Sequence, residues 1–250
     1  MSDFQVMEEA EAFYFKGNHI GVLVIHGFTG STQSMRYLGE QFANQGFTVY
    51  GPRLKGHGTA PEDMEKATHQ DWIDSVENGL QKLKNTCDLI FITGLSMGGT
   101  LTLYLAENHP DIRGIMPINA AVEMPELKLQ YEQLKDTNTR FIAGIGSDIK
   151  QRGIKELAYE KTPVRSMGEI IKLTEMVKKD LGKITAPAMV FSSVEDHVVP
   201  PENSRDIFDS IQSKNRALIM LDNSYHVATL DHDKALIAEK CISFIDALKK

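Results

Sequence analysis

Short apolar runs alternate with segments of helical periodicity along most of the chain. The runs 20–25 (IGVLVI) and 89–93 (LIFIT) are apolar almost throughout and have the length of strands that are buried on both faces. Between them, apolar residues recur in segment 34–45 at the spacing of one helix face. Such alternation predicts an α/β fold in which helices cover both faces of a mostly parallel sheet. The other predicted strands are 47–50, 112–118, 188–192 and 217–221, with an edge strand at 12–15, and the other predicted helices are 71–83, 97–107 and about 234–249.

One stretch, from about 121 to 165, interrupts the alternation. It contains a charged helical piece (PELKLQYEQLKD), then several glycines, and has no clear buried strand. It lies between two predicted sheet strands and reads as an insertion at the strand ends, where the loops of parallel sheets line the ligand crevice. We expect a single domain over residues 1–250 with this insertion as a cap or lid. An ordinary surface excursion is the alternative.

The charge balance narrows the classes of partner. Lys and Arg together number 27 and Asp and Glu 34, which gives a net charge of −7. A general nucleic-acid binder needs a positive surface to replace phosphate counterions, and a polybasic membrane anchor needs basic clusters. We therefore expect neither kind of partner.

Signals for export, membrane insertion and metal binding are missing from the sequence. The N-terminus is acidic and lacks the regions of a signal peptide, and no stretch approaches the ~20 apolar residues of a transmembrane helix. Cys87 and Cys241 cannot form a disulfide framework and are expected as reduced, mostly buried thiols. No histidine pair has metal-binding spacing, so we expect no metal site, and cytoplasmic residence is the default.

The sequence Gly94-Leu95-Ser96-Met97-Gly98 directly follows a predicted strand and precedes a predicted helix. This context is typical of a nucleophile elbow, in which a serine hydroxyl is raised above the sheet at a helix N-terminus. The flanking glycines remove Cβ atoms that would collide with the neighbouring strand and helix. Ser96 is therefore predicted to be a catalytic nucleophile, with a structural turn serine as the alternative.

A serine nucleophile needs a histidine base and an acid that orients the histidine. In this architecture the base belongs in the last loop, which contains His226, and the acid follows the preceding strand, as Asp196 does. The order Ser96, Asp196, His226 is the one expected for hydrolases with this elbow. Four other carboxylates compete for the role of the acid, the last two of which are expected to complement the dipole of the final helix: Glu195, Asp222, Asp231 and Asp233.

Acyl transfer also needs two backbone N–H groups that face the oxygen of the tetrahedral intermediate. One should come from Met97, directly after the nucleophile. The other should come from the loop after strand 20–25, where Phe28 follows His26-Gly27. The bulky Phe28 is also a candidate for lining the acyl pocket. His26 suits a structural hydrogen-bonding role better than that of a base.

These motifs resemble the α/β-hydrolase family, particularly its small bacterial carboxylesterases and monoacylglycerol lipases. The resemblance implies a cofactor-free serine esterase with the triad Ser96, Asp196 and His226 and oxyanion donors Phe28 and Met97. It also implies hydrolysis of glycerol monoesters of medium- and long-chain fatty acids. The alternatives are a general carboxylesterase for short soluble esters and a catalytically silent protein that binds a lipid or a protein. The resemblance to this family rests on seven sequence motifs: VLVIHGFTGS near the start, PRLKGHGT at 52–59, GLSMGGTL around Ser96, EDHVVP at 195–200, SYHVATLD at 224–231, NAA at 119–121 and KELAYEKTP at 155–163.

Substrate selection is expected in the insertion. Ile145 and other apolar residues there could cover an acyl chain, or could simply pack the cap onto the core. Glu156 and Asn119 are candidate hydrogen-bond partners for a glycerol head group, with surface solvation as the alternative. The expected partner is thus a lipid ester such as a monoacylglycerol. An apolar cap could touch lipid surfaces transiently, but no basic amphipathic helix predicts stable anchoring.

Overall fold

The strands follow the alternation of the sequence closely. The protein's computed structural model describes residues 4–249. The strands are β1 (Phe13–Phe15), β2 (Ile20–Ile25), β3 (Thr48–Gly51), β4 (Leu89–Leu95), β5 (Gly114–Ile118), β6 (Phe141–Ala143), β7 (Lys161–Pro163), β8 (Ala188–Ser193) and β9 (Arg216–Leu221). Seven of them form a sheet in the order β1-β3-β2-β4-β5-β8-β9. Only the edge strand β1 pairs antiparallel within this sheet, and the other neighbours are parallel.

Residues 1–3 and Lys250 lie outside the described residues. These residues include the start of the N-terminal segment in which no signal peptide was predicted. They also include both ends of the predicted domain at 1–250. Within residues 4–249, no helix combines the length and the apolar character that crossing a bilayer requires.

Helices cover both faces of the sheet, as predicted. They are α1 (Gln33–Asn44), α2 (Pro61–Met64), α3 (His69–Lys84), α4 (Met97–Asn108), α5 (Pro125–Leu134), α6 (Val164–Asp180), α7 (Glu202–Ser210) and α8 (Lys234–Leu248). One face carries α1 and α8, and the other carries α3 and α4 with α6 packed against them; each face buries its own apolar cluster. In α3 the predicted stripe is buried, and the helix begins with a capping box formed by Thr68 and Asp71. The predicted α/β architecture is confirmed.

The segment between β5 and β8 differs most from the structure that the sequence predicts. The charged piece forms α5, which has no buried residue. The strands β6 and β7 then pair as a small antiparallel sheet, although no strand was predicted there. Three-residue strands are too short to show a period of two, which explains the miss. The helix α6 was also missed, although Met167, Ile170, Leu173 and Val177 recur at helical spacing and are buried.

The topology brings residues that are far apart in sequence to one edge of the sheet. Ser96 follows β4, Asp196 follows β8, and His226 lies in the loop after β9. Phe28 lies in the loop after β2. Because these strands are parallel, their carboxyl ends meet at the same edge, and the four loops converge there.

Candidate active site

Ser96 is held in a strained backbone conformation between β4 and α4. Its φ of 55° and ψ of −121° are unusual for a residue with a side chain. A Cβ atom on Gly98 would lie 2.1 Å from the carbonyl oxygen of Ile25, and one on Gly94 would lie 2.2 Å from the carbonyl oxygen of Gly98. The expectation that both glycines avoid collisions is confirmed, and together they allow the serine to protrude at the turn.

His226 and Asp196 form a buried pair beside this turn. The Nδ1 atom of His226 lies 2.8 Å from Oδ2 of Asp196, and their side chains are only 7% and 2% exposed. The other carboxylate oxygen, Oδ1, accepts hydrogen bonds from the backbone N–H groups of Val198 (2.9 Å) and Val199 (2.8 Å). The carboxylate is therefore fixed by its own loop, and its second oxygen holds the imidazole in the Nδ1–H tautomer.

Three of the other carboxylates considered for the role of the acid are exposed or bind a different group. Glu195 is exposed and lies near Lys150 (3.6 Å) and His197 (3.5 Å) at the surface. Asp222 is also exposed. Asp233 accepts a hydrogen bond from the N–H group of Asn223 at 2.9 Å and makes no side-chain cap bond to α8.

A small cavity of about 20 Å³ brings several predicted residues together. Ser96, His226 and Phe28 line it from the sheet side, and Ile145 and Glu156 line it from the cap. A wider groove of about 840 Å³ between α5 and the loops around 145–148 and 197–198 adjoins it. The two spaces share four lining residues and therefore adjoin each other: Met124, Ile145, Gly146 and Val198.

Of the two predicted oxyanion donors, Met97 directly follows the serine and Phe28 lines the same cavity. Met97 is the first residue of α4, and the N–H groups in the first turn of a helix have no intrahelical acceptor. Phe28 is almost completely buried, and its ring packs edge-on against Trp72 with centroids 5.9 Å apart. That aromatic contact fixes the loop that carries the Phe28 amide.

The side chain of His26 supports the loop that carries the Phe28 amide. Its Nδ1 lies 3.0 Å from the carbonyl oxygen of Gly27, and its Nε2 accepts a hydrogen bond from the N–H group of Leu54 at 3.2 Å. Burial lowers the pKa of His26 to about 4, so the ring is neutral at physiological pH. The expected structural hydrogen-bonding role is confirmed.

Glu156 brings a carboxyl group to the cavity. Burial raises its pKa to about 7, while His226 and the Ser34 hydroxyl act in the opposite direction. The group thus changes its charge near neutral pH. A Cβ atom on Gly30 would lie 2.5 Å from Glu156 Oε1, so this glycine leaves room for the carboxyl group.

Asn119 does not line the cavity. Its Nδ2 atom donates to Ser193 Oγ at 2.9 Å and to the His226 carbonyl oxygen at 2.8 Å, and its Oδ1 accepts from the Ser193 N–H at 2.7 Å. Both amide hydrogens are used, so neither is free for a head group. Asn119 instead connects the end of β5 to the loop that holds His226, a role that its position in the sequence did not indicate.

Two further histidines lie within hydrogen-bond distance of glutamate side chains. His69 Nδ1 lies 2.5 Å from Glu169 Oε2, and His109 Nε2 lies 2.9 Å from Glu77 Oε2. Both pairs link elements away from the cavity. Over residues 4–249, no group of three or more His, Cys, Asp or Glu side chains is arranged to hold a metal ion.

The sheet, the strained serine and the loops that meet above it define an α/β-hydrolase. Residues 18–233 match the family described as serine aminopeptidase, S33, and the chain belongs to this family. The chain is 52% identical over 241 residues to the thermostable monoacylglycerol lipase of Bacillus sp. (strain H-257), with 96% of each chain covered. It is 29% identical to a carboxylesterase of Bacillus subtilis (strain 168), covering 94% of this chain and 96% of that one.

A solved structure from a study of the metagenome-derived lipolytic enzymes LipS and LipT superposes with a TM-score of 0.94. It is 47% identical in sequence, and the superposition covers 97% of this chain and 100% of that one. The predicted resemblance to α/β-hydrolases is confirmed, as is the prediction of a carboxylic ester hydrolase.

Proposed function

We propose that the protein hydrolyses monoacylglycerols to glycerol and a fatty acid through an acyl-enzyme intermediate. The observation that carries this proposal is the common cavity of Ser96 and His226, which adjoins a groove under the cap with both apolar and polar lining residues. The high identity to a protein named as a monoacylglycerol lipase supports the choice of substrate.

The reaction uses side chains already described. His226 takes the proton of Ser96 as the serine oxygen attacks the ester carbonyl, and Asp196 stabilises the imidazolium that forms. The amides of Phe28 and Met97 stabilise the oxyanion. His226 then gives its proton to the departing alcohol. A water molecule deprotonated by His226 releases the fatty acid and restores Ser96.

The groove and the cavity suggest separate places for the two parts of the substrate. Leu127, Leu129 and Ile145 give the groove an apolar lining suited to an acyl chain. Glu156 is the polar cap residue in the cavity beside His226, and we assign it to a glycerol hydroxyl. Asn119, whose amide is fully engaged, is assigned to holding the His226 loop and not to binding the head group.

Two exposed apolar side chains of the cap also suggest how the enzyme reaches a lipid substrate. Leu129 is 63% exposed and Ile145 37% exposed at the mouth of the groove. Such a small apolar area suits transient contact with a lipid surface and not stable anchoring. Cytoplasmic residence remains part of the proposal, and fractionation of the source cells tests it.

A panel of esters tests the substrate. We expect kcat/KM to be higher for a monoacylglycerol than for the diacylglycerol and the ethyl ester of the same fatty acid. Ser96→Ala, which keeps the side-chain volume close to that of serine, is the control for contaminating esterases. The alternative is a general carboxylesterase, and equal or higher kcat/KM on short aryl esters would favour it over the present proposal.

A further inference from the structure

Asp148, in the cap, contacts both loops that carry the proposed base and acid. Its Oδ2 accepts hydrogen bonds from the N–H groups of His226 and His197, both at 3.1 Å, and its Oδ1 lies 2.8 Å from Nδ1 of His197. Its carbonyl oxygen accepts from the N–H group of Val227 at 3.0 Å. The side chain is only 15% exposed although it belongs to an irregular segment.

Asp231 makes the reciprocal connection from the base loop to the cap. It accepts the N–H groups of Lys150 (2.6 Å) and Gln151 (2.9 Å) from the cap. From its own loop it accepts those of Tyr225 (3.0 Å) and His232 (2.8 Å). Burial alone would raise the pKa of Asp231, but these four backbone hydrogen bonds outweigh it and lower the pKa. The earlier assignment of Asp231 to the helix dipole is therefore replaced by this connection.

The backbone of His226 is thus held from two sides. Its carbonyl oxygen accepts from Asn119 at the end of β5, and its N–H group donates to Asp148 in the cap. The first partner directly follows β5 and is buried. The second belongs to residues 148–151, which we call the anchor segment. The position of the imidazole therefore depends on the cap as well as on the sheet.

We propose that Asp148 is a positioning residue for catalysis, and that the anchor segment is part of the framework that holds the loop of the proposed base. This proposal rests on the catalytic role proposed above for His226.

The charge of the Asp148 carboxylate explains why this single residue can hold two loops in place. A carboxylate accepts stronger hydrogen bonds than a neutral group does, and the hydrogen bond to this carboxylate raises the pKa of His197. Asp148 offers two oxygens to three donors that belong to two loops. An error of about 1 Å in the placement of a catalytic group can lower the rate about 100-fold.

The test compares Asp148→Ala and Asp148→Asn with Asp136→Ala, an exposed aspartate just after α5. Each purified full-length variant is assayed on a short soluble ester and on a monoacylglycerol, well below its own Tm. We expect Asp148→Ala to lower kcat about 10- to 100-fold on both esters with KM nearly unchanged. Asp148→Asn, which keeps one acceptor oxygen, should lose less. The rate at which a fluorophosphonate labels Ser96 should fall in parallel.

Other outcomes would overturn the proposal. One is a kcat of Asp148→Ala within twofold of that of Asp136→Ala; another is a change confined to KM for the monoacylglycerol, which would make Asp148 a substrate contact. If Asp148→Ala does not fold, an unchanged kcat for Asp148→Asn with a lowered Tm would reduce the residue to a purely structural role. The variant His226→Ala separates the two proposals: activity in it would refute the proposed function itself.

Discussion

One oxygen of the Asp196 carboxylate lies 2.8 Å from Nδ1 of His226, while the other accepts two backbone N–H groups of its own loop. The hydrogen bonds from its own loop therefore fix the orientation of the Asp196 carboxylate independently of His226. An amide at this position could present its NH₂ group to Nδ1 and favour the wrong tautomer.

Replacing Asp196 should be far more damaging than replacing its neighbour. We expect Asp196→Asn to lower kcat by about three to four orders of magnitude, because Nε2 then carries the proton and cannot accept one from Ser96. Glu195→Gln is the matched control and should keep nearly full activity, since Glu195 is exposed. Steady-state kinetics on a soluble ester checks both variants. A loss of only a few-fold for Asp196→Asn would assign the acid to another residue.

Gly98 should not tolerate even one methyl group. A Cβ atom there would lie 2.1 Å from the Ile25 carbonyl oxygen, so Gly98→Ala must move either β2 or the elbow. We expect a loss of about 2 kcal/mol or more in the free energy of unfolding. Activity should fall with it. Gly182→Ala, at a glycine whose added Cβ would meet nothing within 4 Å, is the control. Thermal unfolding compares the two, and equal Tm values would contradict the prediction.

Glu107, near the end of α4, gives a prediction about pH. Burial raises its pKa from 4.5 to about 8, with a further contribution from Asp180. The folded state therefore holds a proton that the unfolded chain loses above pH 4.5, and stability falls as the pH rises through this window. Glu107→Gln should match the wild type near pH 4.5 and exceed it by up to about 5 kcal/mol above pH 8.

Chemical denaturation at several pH values measures this difference. The exposed Glu160, changed to Gln, should show no such trend. A difference between Glu107→Gln and the wild type that stays constant with pH would show that Glu107 has an ordinary pKa in the folded protein.

Glu156 should distinguish substrates by their head groups. Because its carboxyl group lies in the cavity beside His226, Glu156→Gln should raise KM for a monoacylglycerol about tenfold, the scale of one hydrogen bond to a charged group. The ethyl ester of the same fatty acid has no glycerol hydroxyls, and its KM should stay the same. The effect should grow as the pH rises through about 7, where the carboxylate forms. Equal effects on both esters would remove Glu156 from head-group binding.

The fold and the places of the proposed triad residues at the sheet edge were predictable because their signals are local. The strands around IGVLVI and LIFIT are continuous apolar runs, and the elbow is a five-residue string between a strand and a helix. The order of Ser96, Asp196 and His226 then follows from the topology. The roles of Asn119 and Asp148 were not predictable, since each depends on a partner 74 to 107 residues away along the chain. A hydrogen bond across such a separation leaves no periodic pattern in the sequence.

The convergence of loops from β2, β4, β8 and β9 has a consequence for synthesis of the chain. Domains are made from the N-terminus, so the elbow serine leaves the ribosome long before the loop after β9. Until that loop is complete, Ser96 lacks the proposed base His226, although Asp148 and Asp196, which contact His226 in the folded protein, precede the loop in the chain. A nascent or truncated chain that ends before β9 therefore contains the proposed nucleophile but lacks the proposed base, and we expect hydrolytic activity only once the loop after β9 has been made.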